Sequence, residues 1–531
     1  MEKKRDSKIF FKAMMFVISV IFISVSNTTP VSAQPAPAGE IRIAMTSLGN
    51  ETMDPVLTSN SGKPLMTLLY DYVIGVDPDG KLSKNTGVAR DWKLSPDSLS
   101  FTIYVRPGIK FHNGDDLTAA DVRFSMEQFM SDRSVSSQKN QMTEVIKRIE
   151  TPDPLTVVIY FKKPSVVMAN FLSRQMGVEG SVLPKKYIEK NGAEYFNRNP
   201  VGSGPYRFVE HKTGSHIKYE AVSYPHWRVG VPKIKAITFY YVKEESTGIA
   251  MLKTGEVDIT GIGRDRIKDV SNYRLYEKKG DALVALYVNN SWDPNTFLSN
   301  PKFREALSIS INRKEIKDFI FGGKAEILGS GIVYGSYAID YKSPPVDPYD
   351  PERAKKLVQE AFPNKKPELK MYVYPREGVP EVFNIGEAIA GYWDKIGVKI
   401  KIIQTDFPTY RKMHAAKNSP ELANCVAVMT MGNRLLWDAA FRHIFHTDGL
   451  LSCAKDPKLD AMIEQLLAEK DPNKIAPRSY EIATYLNRQH YQIPLMEVGL
   501  IYAADPKKVP AWPHLSTPLA YDLYLDDLFM R

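Results

Sequence analysis

Two groups of side chains have residue types and a spacing that could serve metal binding or catalysis. His443 and His446 stand three positions apart, so on a helix they would share a face and, with Asp438 or Asp448, supply the donors of a metal site. The loop Gly202-Ser203-Gly204 sets a hydroxyl between two glycines. Each group also has a structural interpretation, namely two partly solvated histidines on a helix and a turn in which glycine supplies a positive φ. We therefore predict no catalytic residue and no metal site.

Motifs of the common enzyme classes are missing from the sequence. It contains no GxSxG nucleophile elbow, no HExxH helix, no GxGxxG turn and no GxxxxGK[ST] phosphate loop. We therefore expect neither catalysis nor a cofactor. A secreted hydrolase of peptides or glycans is the alternative, and recovery of an incubated solute in unaltered form would distinguish the two.

The composition is that of a folded globular protein. Of its 531 residues, 43% are hydrophobic and 25% are charged. At roughly 150 residues per domain, this length allows about two to four domains. The formal net charge is +9, of which the first 33 residues supply three charges. A remainder of +6 with both signs interspersed does not indicate a nucleic-acid-binding protein.

The first 33 residues have the pattern of a secretory signal peptide. A basic opening, MEKKRDSKIFFK, precedes an apolar run at 13–25, and Val31-Ser32-Ala33 then supplies small residues before a predicted cut at Gln34. The alternative is an uncleaved membrane anchor, which the shortness of the apolar run disfavours. No later stretch approaches 18 consecutive apolar residues. We expect a mature protein that is soluble outside the cytoplasm.

The two cysteines allow two interpretations. Cys425 and Cys453 lie 28 positions apart in a chain that we expect to be exported, so they could pair as a disulfide. Cys425 also adjoins the apolar run 426–429, where it fits equally well as a small core residue. Neither cysteine belongs to a CxxC motif, so the sequence does not indicate a redox centre or a structural zinc site.

Strand-like and helix-like segments are mixed along the chain, which favours an α/β fold. Residues 101–105 alternate at period two, and further strands are predicted near 235–242, 283–289, 369–374 and 398–403.

Three helices have clear starts. Thr118 is a candidate N-cap for a helix over 119–130. A second helix is predicted from Pro301 through KFREALSISINRKEI, with Phe303, Leu307 and Ile311 on one face, and a third over 351–361.

Short motifs along the chain carry a family resemblance. They are Asp91-Trp92 with Ser95-Pro96-Asp97, FTIYVRPGIKFHNGDDLTAADVRFS at 101–125, NPVGSGPY at 199–206, LKTGEVD at 252–258, FREAL at 303–307 with SINR at 310–313, and YDPERA at 349–354. In this order, from about residue 41 to residue 531, the sequence resembles the extracytoplasmic solute-binding proteins of family 5, which include the dipeptide- and oligopeptide-binding components of ABC transporters.

The resemblance implies a two-lobed periplasmic-binding-protein-like fold with an extra subdomain in the first lobe. The first lobe would be discontinuous, comprising 34–76, 200–282 and 500–531. The inserted subdomain would occupy 77–199, and the second lobe 283–499. Ligand sites favour clefts between such lobes, which close by a hinge motion of a few residues.

The resemblance also implies a function. The protein would be a monomeric periplasmic component of an ABC importer that binds a small solute, foremost a di- or oligopeptide, and delivers it to a membrane permease. Family members also carry opines, nickel chelates, haem and oligosaccharides, so the peptide is the majority choice within the family.

Candidate ligand contacts follow from the same resemblance. In peptide-binding relatives the segment corresponding to 425–441 carries an aspartate that pairs with the ligand's amino terminus, and Asp438 is the acidic residue available here. Trp437 would offer an apolar wall, and Arg434 could meet a carboxylate with two hydrogen bonds. The alternative for Asp438 is a cap on a helix beginning at Ala439. Weaker candidates are Tyr334, Asn290 and Trp292.

Overall fold

The structure is a computed structural model that describes residues 36–58, 62–136, 138–330, 343–374, 379–416, 419–431, 437–469, 471–517 and 522–529. The predicted leader at 1–33 and its cut before Gln34 lie outside the described residues. Among the residues that are described, no helix has both the length and the apolar character that a membrane span needs.

The strands and helices are mixed along the chain, as the sequence predicts. The strands are β1 (Ala38–Met45), β2 (Gly75–Val76), β3 (Leu82–Ser83), β4 (Ala89–Leu94), β5 (Ser100–Val105), β6 (Ile146–Asp153), β7 (Thr156–Phe161), β8 (Tyr206–Lys212), β9 (His216–Ala221), β10 (Ile234–Tyr241), β11 (Ile259–Ile262), β12 (Arg274–Val288), β13 (Ala325–Ile327), β14 (Glu368–Val373), β15 (Lys399–Gln404), β16 (Cys425–Met431) and β17 (Gln492–Ala504). The α-helices are α1 (Lys63–Leu69), α2 (Ala119–Met130), α3 (Lys139–Val145), α4 (Met168–Phe171), α5 (Lys185–Asn191), α6 (Ala193–Arg198), α7 (Glu245–Thr254), α8 (Pro301–Ile309), α9 (Arg313–Ile320), α10 (Pro351–Ala361), α11 (Val382–Lys395), α12 (Phe407–Ala415), α13 (Trp437–Phe445), α14 (Pro457–Leu467), α15 (Pro472–Gln489) and α16 (Asp526–Phe529).

One sheet runs through the molecule in the order β15-β14-β16-β12-β17-β11-β1-β10-β9-β8, with β13 added on β17. We call the part around β1 and β8 to β11 the first half, and the part around β14 to β16 the second half. Two long antiparallel strands, β12 and β17, join the halves, because β17 pairs with β11 at one end while β12 pairs with β16 at the other. Their pairing shifts register between Lys278 and Ala282, where the two strands pass from the first half to the second half.

A separate four-stranded sheet, β4-β5-β7-β6, lies in the segment between α1 and β8. Helix α2 follows from its sequence pattern: Thr118 and Asp121 form a capping box, and Val122, Met126 and Phe129 are buried. Phe129 and Phe124 belong to the hydrophobic core of the main sheet, whereas Val122 and Met126 belong to that of the small sheet. We call the segment between α1 and β8 the inserted segment, and it contacts the first half where Arg133 Nη2 lies 2.5 Å from Asp54 Oδ2.

A buried group of charges ties the C-terminal segment to the inserted segment. We call it the C-terminal cluster, and its members are Arg174, Arg228, Asp71, Asp522 and Asp526. Arg174 Nη2 lies 2.9 Å from Asp522 Oδ1 and its Nη1 lies 2.7 Å from Asp526 Oδ2, while Arg228 Nη1 lies 2.6 Å from Asp526 Oδ1. Burial alone would raise the pKa of Asp526, but the two guanidinium groups outweigh burial and hold that pKa well below its usual range.

The loop Gly202-Ser203-Gly204 does not use glycine in the way that we predicted. Neither glycine has a positive φ. A Cβ on Gly202 would lie 1.8 Å from the carbonyl oxygen of Leu69, so the glycine permits close packing against the end of α1. His112 fastens the loop, because its Nε2 lies 2.9 Å from the carbonyl oxygen of Gly204. Burial lowers the pKa of His112 to about 4, so the ring is neutral at pH 7.

Both cysteines are free and buried, which supports their interpretation as core residues rather than as a disulfide. They contact one amide: Asn289 Nδ2 donates to Cys425 Sγ at 3.5 Å, and the Cys453 thiol donates to Asn289 Oδ1 at 3.8 Å. Burial raises the pKa of the Cys425 thiol to about 12 and raises the pKa of Cys453 as well. Both side chains are therefore protonated and unreactive at neutral pH.

The prediction of one continuous helix from Pro301 is wrong, because the structure has two helices there. The chain forms α8 and then a new helix, α9, with Ile311 between them. Asn312 starts the second helix, because its side chain accepts a hydrogen bond of 3.1 Å from the backbone N–H of Glu315. The helices predicted over 119–130 and 351–361 have exactly those bounds as α2 and α10, and the predicted strands are confirmed within a residue, except that 283–289 is only the end of the longer β12.

Candidate functional site

The carboxyl ends of β14, β15 and β16 meet at one edge of the sheet in the second half. Both β15 and β16 run parallel to β14, so the residues that follow all three strands emerge on the same side. Such an edge is where open α/β sheets place their ligands. Helix α12 follows β15 here, and α13 follows β16 after residues 432–436, which lie outside the described part of the chain.

A cavity of about 140 Å³ lies between this edge and the inserted segment. On the side of the inserted segment its lining residues are Ser134, Val135, Ser136, Lys139, Asn140 and Gln141, and on the side of the second half they are Arg411, Arg442, His443, Asp448, Gly449 and Leu450. The lining is mostly polar and comes from both halves, which suits a solute that is bound by closure of one half on the other.

Polar contacts cross this cavity and hold its two sides together. Arg442 on α13 places Nη2 2.6 Å from Oε1 of Glu144 on α3 and Nη1 2.6 Å from Oε1 of Glu464 on α14. Arg411 on α12 donates from Nη2 to the backbone oxygen of Val135. The structure therefore shows the two halves in contact at the mouth of the cavity.

A second bridge joins the halves close to the crossing strands. The backbone N–H of Arg264, just after β11, donates to Oε1 of Glu381 at 3.1 Å, and Nη1 of the same arginine lies 3.3 Å from that oxygen. Arg264 also donates from Nη2 to the backbone oxygen of Gly499 on β17. Burial raises the pKa of Glu381, and Arg264 offsets this only in part.

A larger cavity, of about 280 Å³, lies within the first half and is a weaker candidate. Its charged lining includes Asp71, Arg174, Arg228 and Asp526, which are members of the C-terminal cluster and already pair with one another. Relative motion of the two halves would not close this cavity. We therefore place the candidate site at the smaller cavity between the halves.

The predicted ligand residues fall in two places. Trp437 and Asp438 are the first two residues of α13, and their side chains lie outside the described part. Because α13 begins before Ala439, Asp438 lies in the first turn of the helix rather than at a cap before Ala439. Arg434 and Tyr334 lie outside the described residues altogether.

Asn290 and Trp292 follow the end of β12 that pairs with the start of β16. The hydroxyl of Ser291, between them, donates to the backbone oxygen of Cys453, and the N–H of Cys453 donates to the backbone oxygen of Ile444 near the end of α13. The register of β12 and β16 pairs Leu283 with Met431, next to α13, and pairs Val288 with Val426 at the far end. Asn290 follows Val288 with φ of 49° and accepts a 3.1 Å hydrogen bond from the backbone N–H of Asp293, as a turn residue does. These two residues therefore lie near the end of α13, whereas Trp437 and Asp438 form its start.

The two histidines of the three-residue spacing, His443 on α13 and His446 just after it, have different surroundings. His446 Nε2 lies 3.2 Å from Glu464 Oε1 and 4.0 Å from Asp460 Oδ1, and His443 lines the cavity. Within the described ranges, no group of three or more His, Cys, Asp or Glu side chains is placed to hold a metal ion.

Sequence reasoning missed Glu144, Arg411 and Arg442. Arg442 had a usable signal, because it stands four positions after Asp438 and so shares a helix face with it. Glu144 and Arg411 had none, because their importance depends on the approach of segments that are far apart in sequence.

Comparison with known proteins adds the family. A family model described as bacterial extracellular solute-binding proteins, family 5, middle region, matches residues 85–424. The glutathione-binding protein GsiB of Salmonella paratyphi A is 29% identical over 334 residues, which are 62% of this chain and 63% of that relative's length. The aligned part thus spans less than two thirds of that relative.

Solved structures show the same fold. The oligopeptide-binding protein AppA from Bacillus subtilis, in complex with a nonapeptide, has a TM-score of 0.80 at 19% identity and covers 93% of this chain and 99% of its own. NikZ from Campylobacter jejuni, in complex with Ni(L-His), has a TM-score of 0.75 at 21% identity and covers 88% of this chain and 94% of its own. The fold is therefore that of the two-lobed periplasmic binding proteins.

Proposed function

Because the chain belongs to the bacterial extracellular solute-binding proteins of family 5, we propose that it captures a small solute between its two halves and presents it to the membrane permease of an ABC importer. The observation that carries the proposal is the polar cavity at the carboxyl edge of β14 to β16, which is lined from both halves. Capture needs no bond making or breaking, so the proposed role is binding without catalysis.

The solute that we propose is a di- or oligopeptide. GsiB is named for binding glutathione and AppA was solved with a nonapeptide, which supports a peptide, whereas the nickel complex of NikZ shows that the fold also serves other solutes. Asp438 would pair with the peptide's ammonium group, with Trp437 as an apolar wall and Arg434 and Tyr334 as further contacts. Asn290 and Trp292 would be weaker contacts, reached from the end of β12 near the end of α13.

We propose that closure is a hinge motion at the two crossing strands. Support comes from the register shift between Lys278 and Ala282, where the antiparallel pairing of β12 and β17 is locally interrupted. On this proposal the first lobe comprises 34–76, 200–282 and 500–531, with 77–199 inserted, and the second lobe comprises 283–499.

We also propose that the chain is exported, loses residues 1–33 and works as a monomer in the periplasm. The family's extracellular character and the small residues before Gln34 support this proposal. Amino-terminal sequencing of exported protein should begin near Gln34. Exported material that retains residues 1–33 would contradict the cleavage.

Thermal unfolding in the presence of a solute library tests the binding function. A solute at 100 times its dissociation constant stabilises the folded state by about 2.7 kcal/mol, which is an easily measured rise in unfolding temperature. We expect a rise with at least one peptide, and recovery of that peptide unaltered after incubation. Conversion of the peptide into fragments would instead support the hydrolase alternative, and a library without any effect would contradict peptide capture.

A further inference from the structure

Arg442 is held by two carboxylates, one from each side of the cavity. Glu144 and Glu464 each place Oε1 2.6 Å from a guanidinium nitrogen of Arg442, and their side chains are 43% and 45% exposed. We call these three residues the closing cluster. Glu464 lies on α14 in the same half as Arg442, whereas Glu144 lies on α3 in the inserted segment. Opening of the cavity would therefore break the Glu144 contact and leave the Glu464 contact intact.

The surroundings of the closing cluster allow the contact to be broken and remade. Arg442 is 11% exposed and keeps a carboxylate partner in either state, so opening does not leave a buried charge unpaired. Two other polar groups nearby have partners on their own side: Lys139 Nζ lies 3.4 Å from Asp132 Oδ1, and His446 Nε2 lies 3.2 Å from Glu464 Oε1. Arg411 reaches across the cavity, but to a backbone oxygen, that of Val135. A half-exposed ion pair contributes little free energy, which suits a contact that must be reversible.

We propose that the Glu144–Arg442 ion pair is a latch that sets the balance between the open and closed forms of the free protein. By favouring the closed form before any solute arrives, the latch would tune the apparent affinity for a solute, because the population of the competent form enters the dissociation constant. This consequence for affinity rests on the proposed function, whereas the latch itself does not require a solute.

Glu464 provides a matched control for Glu144. Glu144→Gln and Glu464→Gln remove the same charge from the same arginine at the same distance, but only Glu144→Gln removes a contact between the halves. Glu464→Gln also alters a contact with His446, which lies on the same side of the cavity as Glu464. We expect Glu144→Gln to lower the ratio of closed to open molecules by about two- to fivefold, which is the range that exposed ion pairs support. Glu464→Gln should leave that ratio nearly unchanged.

Distances between spin labels measure this ratio without a solute. Lys147→Cys on β6 and Ala461→Cys on α14 place labels at exposed positions on the two sides, and the buried native thiols do not compete for the label at neutral pH. Double electron–electron resonance of the ligand-free protein should show a short-distance population that shrinks in Glu144→Gln and in 0.5 M NaCl, an ionic strength with a Debye length of about 4 Å.

Three outcomes would overturn the latch: no short-distance population in the background protein, an equal population in Glu144→Gln, or an equal loss in Glu464→Gln. A structural defect is recognised separately, because both variants should unfold at the temperature of the background protein. Since no solute is present, failure of the latch and failure of the proposed solute binding are distinguishable.

Discussion

The C-terminal cluster and the closing cluster both consist of arginine–carboxylate ion pairs, but the first is buried and the second is partly exposed to solvent. In the C-terminal cluster every side chain is at most 13% exposed, and its arginines join the inserted segment and the first half to the C-terminal segment. In the closing cluster the two carboxylates are 43% and 45% exposed, and one of them comes from across the cavity. Burial makes the first cluster costly to break, and exposure makes the second reversible. The difference separates the part of the molecule that stays assembled from the part that we expect to move.

The largest expected effect is the loss of Arg174. Arg174→Met leaves Asp522 and Asp526 without a partner that they contact at 2.9 Å and 2.7 Å. Removing one partner of a buried charge typically costs about 3 to 5 kcal/mol. Because Arg228 still lies 2.6 Å from Asp526 and Lys63 lies 3.8 Å from Asp522, we expect the free energy of unfolding, measured with urea, to decrease by an amount up to that size. Arg148→Met is the control, because that arginine also has a carboxylate at 2.7 Å but is 47% exposed. An equal decrease in the free energy of unfolding in the two variants would contradict the distinction between buried and exposed ion pairs.

The next effect concerns Asp438 at the edge that we expect to bind solute. If Asp438 pairs with a ligand ammonium in a closed cavity, Asp438→Asn should weaken binding by about 2 to 5 kcal/mol. Stability should change little, because Asn in the first turn of α13 loses only a dipole interaction of about 0.3 to 1 kcal/mol. Calorimetric titration with a peptide found by thermal unfolding measures the first effect. An unchanged dissociation constant would exclude Asp438 as the amine anchor.

The pH dependence of stability is the third effect. The pKa of Asp526 in the folded protein is lowered, as are those of Asp522 and Asp71, because the cationic partners outweigh burial. A carboxyl group with a lowered pKa stabilises the fold above its unfolded pKa, and this contribution is lost as the pH falls toward the folded pKa. We expect the free energy of unfolding to fall steeply below about pH 4. The Asp526→Asn variant should have a smaller free energy of unfolding at pH 7 than the unsubstituted protein, and this free energy should fall less as the pH is lowered. Parallel pH profiles for the variant and the unsubstituted protein would contradict Asp526 as a source of the pH dependence.

The smallest expected effect on stability is that of Glu144→Gln. An ion pair whose carboxylate is 43% exposed should contribute less than about 1 kcal/mol to the free energy of unfolding, and this contribution should shrink with added salt. Urea unfolding at low and high NaCl concentration measures both. A loss as large as that of Arg174→Met would mean that the closing cluster is a fixed structural contact and not a latch.

The sequence predicts local structure well where the signal is local. Helix α2 has the predicted bounds because its apolar spacing and its cap at Thr118 agree. The break at Asn312 was missed although its signal was present, since an Asn followed three residues later by Glu315 starts a helix. The use of glycine at Gly202 was not predictable, because it depends on Leu69, a residue far away in the sequence.

The candidate site was predicted only in part, for a physical reason. The family motifs indicate the scaffold, and the strand, loop and helix at 425–441 indicate the edge where α13 begins. The ion pair between Glu144 and Arg442 joins residues that are 298 positions apart, and no periodicity in the sequence encodes such a contact. Asn290 is a candidate because it follows a strand, but β12 is antiparallel to β16, so Asn290 lies at the opposite end of this strand pair from Met431.

Small-angle X-ray scattering of the free and the solute-bound protein tests most directly whether the molecule captures a solute by closing its two halves. The sample is the mature chain, with and without a saturating amount of a peptide that raises the unfolding temperature. We predict a smaller radius of gyration in the bound protein and a bound scattering curve that matches the closed arrangement described above. Identical curves, with binding confirmed by calorimetry on the same sample, would contradict capture by closure.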